Sequence, residues 1–203
     1  MVQKYIVFGM SSVIIVGPSG RLREQKIGHA IDKFDIVCRI NWGGRPESMV
    51  DENKEIIGTK KDIWFCGHTG LINMFPLSFY ENYNEVVIHN PEMYKNNKSR
   101  ITNLKLCDKE IIDNCNREMF EFNGFNRVPT TGMLTIFYIL NQYSDVTICG
   151  FDGHHGGHWY GNKYMATQEK SNAIAIKGHG RHNIVKEYEY FNHLVNTNKI
   201  KKL

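Results

Sequence analysis

The sequence predicts an α/β layer fold with a mostly parallel sheet flanked by helices. Three observations carry this. Short β-branched runs recur along the chain, helical stretches lie between them, and one of those stretches is apolar on most faces. The strand candidates are residues 5–8, Val13–Val16, Ile36–Ile40, Ile63–Cys66, Glu85–Ile88 and Val146–Cys149, each bounded by Gly, Asn or a charged residue. The helix candidates are residues 132–142, 105–119 and 185–195. The first is apolar nearly all round, which suits a helix buried against a sheet, and the other two are amphipathic. In such sheets ligands bind beyond the carboxyl ends of the strands, so chemistry is sought in the segments that follow each strand.

The chain has 203 residues, 41% hydrophobic and 23% charged, which describes one globular domain over residues 1–203 rather than a disordered chain. A net charge of +4 permits an acidic ligand or nucleic acid without demanding one. The apolar runs fall well short of the roughly 20 residues of a membrane span, and no secretory signal pattern is visible. Five cysteines, an odd number without paired CxxC spacing, argue against a disulfide scaffold or structural zinc and fit a reducing, cytoplasmic setting. Abundant Asn, Ile and Lys fit an AT-rich coding bias and a microbial or viral source. There is no internal repeat, low-complexity tract or linker.

Three segments carry candidate chemistry. The strand Val13–Val16 runs into Gly17-Pro18-Ser19-Gly20, a tight loop whose free amides or Ser19 hydroxyl can meet a phosphate. Its glycines, at 17, 20 and 28, match neither the dinucleotide fingerprint nor a Walker A loop, and an ordinary βα turn is the plain alternative. The next strand ends at Asn41, so Ser19 and Asn41 share one sheet edge as a possible nucleotide floor. Further on, Thr130, Thr131 and Gly132 precede the apolar helix. They supply an N-cap, a close approach and a helix N-terminus, with simple capping as the alternative. Finally, five of the nine histidines, His154, His155, His158, His179 and His182, lie between 154 and 182. They read as a metal site of His154, His155 and Asp152, as exposed loop histidines, or as acid/base groups. In the last case Glu187, five residues after His182, orients that His or raises its pKa, directly or through a neighbour.

Taken in order, these segments resemble glycosyltransferase family 29, the eukaryotic-type sialyltransferases. The family's large motif is similar to residues 13–41: an apolar strand, Gly-x-Ser-Gly, then Gly-x-x-Ile-Asp, and Arg39-Ile40-Asn41. Its small motif is similar to Pro129-Thr130-Thr131-Gly132 through Gly150-Phe151. Its third motif is similar to His158-Trp159-Tyr160, and its last to His182 with Glu187. The resemblance covers residues 13–187.

The resemblance implies a single Rossmann-like domain, a CMP-sugar donor and inverting, metal-independent transfer to an acceptor hydroxyl, with no cofactor. It implies that Gly17, Ser19, Gly20, Asn41, Thr130, Thr131, Gly132, Trp159 and Tyr160 line the donor nucleotide. His158 would contact the leaving phosphate, His182 would be the general base, and Glu187 would assist. The absence of an Asp-x-Asp motif agrees with metal independence. Three departures are visible. The family's Asn in the first loop is Pro18 here, its inter-motif disulfide has no counterpart, and its membrane anchor and stem are not seen. They set the expectation of a compact cytoplasmic relative. The acceptor is a glycan on this reading. A phage-type enzyme modifying hydroxymethylcytosine in DNA is the alternative, motivated by Lys95, Lys98, Arg100 and Lys105 and by Lys199, Lys201 and Lys202. A non-catalytic nucleotide- or glycan-binding module, or a His-metal hydrolase, is the third reading.

Overall fold

A computed structural model of the chain describes residues 11–44, 53–68, 70–153 and 182–203. The strands are β1 (Val13–Val16), β2 (Ile36–Ile40), β3 (Ile63–Cys66), β4 (Glu85–Ile88), β5 (Leu104–Leu106), β6 (Val146–Cys149) and β7 (Lys201–Lys202). The helices are α1 (Leu22–Gln25), α2 (Gly28–Ile31), α3 (Lys54–Ile57), α4 (Leu77–Tyr80), α5 (Pro91–Asn97), α6 (Lys109–Asn123), α7 (Thr131–Leu140) and α8 (Ile184–Asn196). The seven strands form one sheet in the order β5-β4-β3-β2-β1-β6-β7. Every neighbouring pair is parallel. No helix among the described residues is long and apolar enough to cross a membrane.

The chain walks outward from β1 to β5 and then returns to lay β6 on the other side of β1, with Val13 opposite both Ile36 and Val146. The strand order therefore reverses between β1 and β6. The crevice beyond their carboxyl ends is where an open parallel sheet takes a ligand.

Both faces of the sheet are covered, which is why β1 and β3 are apolar throughout and β2 and β6 each carry one polar residue, Arg39 and Thr147. Alternate residues point to opposite faces. Val13 and Ile15 join a core with Ile111, Cys115 and Met119 of α6, Ile136 of α7 and Phe191 of α8. Ile14 and Val16 join Leu22, Ile31 and Ile57 on the other face. A third cluster surrounds Trp64, whose ring meets Phe79 edge-on at 5.2 Å.

Five of the six expected strands occur with the expected bounds, and the sixth, residues 5–8, lies outside the described residues. The helix expected over residues 105–119 is corrected. Leu104–Leu106 is an edge strand with Val86 opposite Leu104, and the helix starts at Lys109 and runs on to Asn123. Ile111, Cys115 and Met119 recur every four residues, but Leu104 and Leu106 alternate and belong to the sheet. Asp108, extended at ψ 138°, separates the two periods. Strand β7 was not foreseen, because two lysines carry no strand signal.

The Gly-x-x-Ile-Asp part of the first motif proves architectural. A Cβ on Gly28 would lie 1.9 Å from the Lys54 carbonyl oxygen and 2.6 Å from the Gly58 nitrogen. The Asp32 carboxylate accepts from the Thr59 and Lys60 amides, each at 2.9 Å. From β2, the wholly buried Arg39 donates to the carbonyls of Ile57 at 2.7 Å and Lys60 at 2.6 Å. These contacts pin α3 and its following turn beneath the sheet. Gly28→Ala is therefore expected to lower stability by about 2 kcal/mol or more in urea denaturation. Gly70→Ala meets only the His68 ring at 3.4 Å and should stay within about 0.5 kcal/mol of the parent.

Candidate active site

The loops after β1 and β6 interlock at the switch point. The Gly17 amide donates to the Cys149 carbonyl at 2.8 Å and the Ser19 amide to the Gly150 carbonyl at 3.0 Å. A Cβ on Gly17 would lie 2.4 Å from the Gly150 oxygen, so glycine is required there. The Ser19 hydroxyl, buried, donates to Asp152 Oδ2 at 2.6 Å and accepts from the Arg21 amide at 3.2 Å. The first loop is thus not the cradle of free amides that its glycines suggested, because the amides of Gly17, Ser19 and Arg21 are already committed. Pro18 has none. Gly20 is half-buried and its carbonyl accepts from Arg23.

Asn41 closes β2 with a left-handed backbone, φ +45°. Its Oδ1 accepts from the Gly67 amide at 2.8 Å and its carbonyl from Trp64 Nε1 at 2.8 Å. The hydrogen bond from the Gly67 amide fixes which side-chain atom is oxygen, and among the described residues no acceptor meets the two Nδ2 hydrogens. Gly67 follows β3 and abuts the helix beyond: a Cβ there would lie 2.0 Å from Thr131 Oγ1. Sequence reasoning missed Gly67, although a glycine at the carboxyl end of a parallel strand is itself a signal.

Thr130 caps α7 through its hydroxyl, which accepts from the Met133 amide at 3.3 Å. The capping reading is therefore correct, but it leaves the helix end open. Among the described residues nothing accepts from the amides of Thr131 or Gly132. A ten-residue helix ending in open amides attracts an anion. Gly132 also lets Phe151 approach, since a Cβ there would lie 3.1 Å from Phe151 Cε1. Phe151 in turn stacks on Phe191 at 5.6 Å.

The start of α8 grips the segment leading into α7. His182 Nδ1 lies 2.6 Å from the Val128 carbonyl. A carbonyl only accepts, so Nδ1 carries a hydrogen, and in the neutral ring the lone pair is on Nε2. Glu187, 5% exposed, accepts from the Thr130 amide at 2.9 Å and from the Thr130 hydroxyl at 2.7 Å. Glu187 therefore does not touch His182 directly: both carboxylate oxygens hold Thr130, and any influence on His182 passes through residues 128–130. Burial pushes the Glu187 carboxyl up to about 7 against the opposing pull of the two Thr130 bonds.

His158, Trp159 and Tyr160, with His154, His155 and His179, lie outside the described residues. Of the suggested metal trio, Asp152 is bonded to Ser19. All five cysteines are buried and unpaired, and burial pushes the thiols of Cys66, Cys107 and Cys149 up to about 12, which suits packing rather than nucleophilic attack.

A parallel sheet whose strand order reverses between β1 and β6, with an open helix end and a histidine ring held beside it, is the architecture of an α/β enzyme. The family model of glycosyltransferase family 29 (sialyltransferase) matches residues 9–88 and 72–199. The chain belongs to that family and is a sialyltransferase-like glycosyltransferase. In fold it is similar to the crystal structure of a mammalian sialyltransferase, at 19% identity and TM-score 0.63 over 98% of this chain and 71% of that one. It is likewise similar to a mammalian sialyltransferase in complex with Gal-beta-1-3GalNAc-ortho-nitrophenol, at 18% identity and TM-score 0.64 over 95% and 69%. No curated protein matches the chain in sequence.

The Glu187 carboxyl titrates near 4.5 when unfolded and near 7 when folded, so the folded state holds the extra proton between those values. The contribution of this carboxyl to stability is then greatest below about 4.5 and falls as pH rises towards 7. Glu187→Gln keeps an acceptor for the Thr130 amide and removes the titration. Thermal unfolding should show the variant more stable than the parent at pH 8, by on the order of 2 kcal/mol, with the difference gone at pH 4.5.

Proposed function

We propose that the chain transfers a sugar from a CMP-sugar to an acceptor hydroxyl by an inverting displacement, with His182 as general base. The observation that carries this is the His182 ring, held by Nδ1 on the Val128 carbonyl, next to the open N-terminus of α7. In the transfer, His182 Nε2 takes the acceptor hydroxyl proton as that oxygen bonds to the anomeric carbon. The bond from the anomeric carbon to the phosphate oxygen breaks, and CMP leaves with the electron pair. The Thr131 and Gly132 amides would meet negative charge on the donor. Ser19 and Asn41 would line the nucleotide, with Gly17 and Gly20 shaping their loop. By family resemblance His158 would contact the leaving phosphate, and Trp159 and Tyr160 would complete the donor site. Glu187 would act by positioning Thr130. No metal is needed on this reading, because the helix end and donor hydrogens supply the positive potential.

Sialic acid, as the sugar the family usually carries, is the first donor to test, as its CMP conjugate. A galactose-terminated glycan such as the one bound by the mammalian neighbour is a suitable first acceptor. The buried, unpaired thiols fit a cytoplasmic setting. No observation favours the DNA-modifying alternative. Of the lysines that suggested it, Lys105 pairs with Glu85, and Lys201 pairs with Asp145 at 2.8 Å.

Calorimetry in EDTA should show CMP binding, with UDP and GDP failing to bind. Binding of UDP or GDP alone would overturn the donor assignment. With a working substrate pair, His182→Ala should lower kcat by about 10²–10⁴-fold while donor KM changes little. An unchanged kcat would remove His182 as the base.

A further inference from the structure

We infer that binding of an anionic donor at the N-terminus of α7 is coupled to uptake of a proton from solvent by Glu187, so that the occupied site holds this carboxyl neutral. The inference rests on the reading of that helix end as the place that meets the donor's charge. The helix end already has an anion of its own. Glu187 is 5% exposed, and its two oxygens take the amide and the hydroxyl of Thr130, the capping residue. A second anion, on the amides of Thr131 and Gly132, draws on the same positive end of the helix. Two like charges sharing a site out of water repel, and the one that can take a proton takes it.

Among the described residues no ion pair offsets the Glu187 charge. Its neighbour Lys186 is turned to the carbonyls of Asn123 at 2.7 Å and Gly124 at 3.0 Å. Helix α6 brings only the Cys115 thiol and the Glu118 carboxylate, which accepts from the Tyr190 hydroxyl at 2.7 Å. His182 is held on Val128, Glu189 takes the Asn123 amide group at 3.1 Å, and Arg127 is exposed. Burial alone already lifts the Glu187 carboxyl to about 7, so an anion beside it decides its charge near neutral pH. The clamp survives the proton. Oε1 still accepts from the Thr130 amide, and Oε2–H donates to Thr130 Oγ1, whose other lone pair stays with the Met133 amide. Only the Thr130 hydroxyl hydrogen changes direction, and the charge is lost without releasing the cap.

The test is calorimetric binding of cytidine 5′-methyl phosphate, a diester whose charge is constant across the range, and of uncharged cytidine. Each is titrated into the parent, Glu187→Gln and His182→Ala at pH 6 to 9, in buffers of different ionisation enthalpy. The parent should bind the diester about tenfold more weakly at pH 9 than at pH 6 and take up about half a proton at pH 7.5. Glu187→Gln copies the neutral acid, its amide oxygen facing the Thr130 amide and its NH₂ the Thr130 hydroxyl. It should lose that uptake and bind the diester about tenfold more tightly than the parent at pH 9. The uptake should survive in His182→Ala, and cytidine should show neither effect. Weaker diester binding in Glu187→Gln than in the parent at pH 9, undiminished uptake in that variant, or equal uptake with cytidine would each overturn the inference. If Glu187→Gln does not fold, uptake with the diester and none with cytidine in His182→Ala is still required. A parent that binds the diester equally at pH 6 and 9 overturns this inference and leaves the site reading standing. A parent that binds no diester at any pH rejects the helix end as the anion site, and this inference with it.

Discussion

Two hydrogen bonds from Thr130 to the buried Glu187 carboxylate set where the two helix ends of the candidate site stand. The carboxylate sits out of water, where a hydrogen bond to charge is worth more than at the surface and an unmade one costs more. It holds the residue that caps α7, so the helix end offered to an anion is fixed to the first turn of α8. His182 precedes that turn and binds Val128, two residues before Thr130. Lys186 extends the junction, donating to the carbonyls of Asn123 and Gly124 at the end of α6. Three helix termini therefore converge on a short stretch of chain, and a displacement of one moves His182 and the α7 N-terminus together.

The sheet supplies the other half of the constraint. With both faces buried, its strands cannot shift register without exposing apolar side chains, so the loops at its carboxyl edge inherit fixed positions. The β1 and β6 loops are latched by two backbone bonds and a pair of glycines. Asn41 and Gly67 join the next two strands in the same way. Gly67 then touches Thr131, which carries the platform onto α7. The candidate site is a continuous arc from β6 to α8, joined by backbone bonds between the β1 and β6 loops and by side-chain bonds beyond them.

Much of this arc was legible in the sequence, and the failures have physical reasons. The central strands are apolar-rich, β-branched most fully in β1, and almost wholly buried, which gives a strong local signal. Strand β5 was lost because Leu104 and Leu106 run straight into a four-residue period, and β7 because lysines on an edge strand carry no apolar pattern. At the site, ligand-edge residues could be placed from strand ends, but their partners could not. Ser19 and Asp152 are 133 residues apart, and only the return of the chain to β1 brings them together. Gly28 and Asp32 stand within the first motif yet serve the fold. Glu187 lies five residues from His182 and bonds elsewhere, because the first turn of α8 aims it at Thr130.

That last arrangement has a chemical logic. On the proposed reading His182 is a base beside an anionic donor, and a carboxylate on its Nδ1 would fix the ring at the cost of a second negative charge beside the phosphate. The Val128 carbonyl fixes it without adding charge. The acid of the motif is instead buried one step back, where it strengthens the cap of the helix that faces the anion. Asp152 is handled in the same spirit, with its charge directed onto a serine hydroxyl. Both carboxylates bond a hydroxyl, Glu187 that of Thr130 and Asp152 that of Ser19, and on the proposed reading the donor meets the helix-end amides, the Asn41 side chain and the His182 ring.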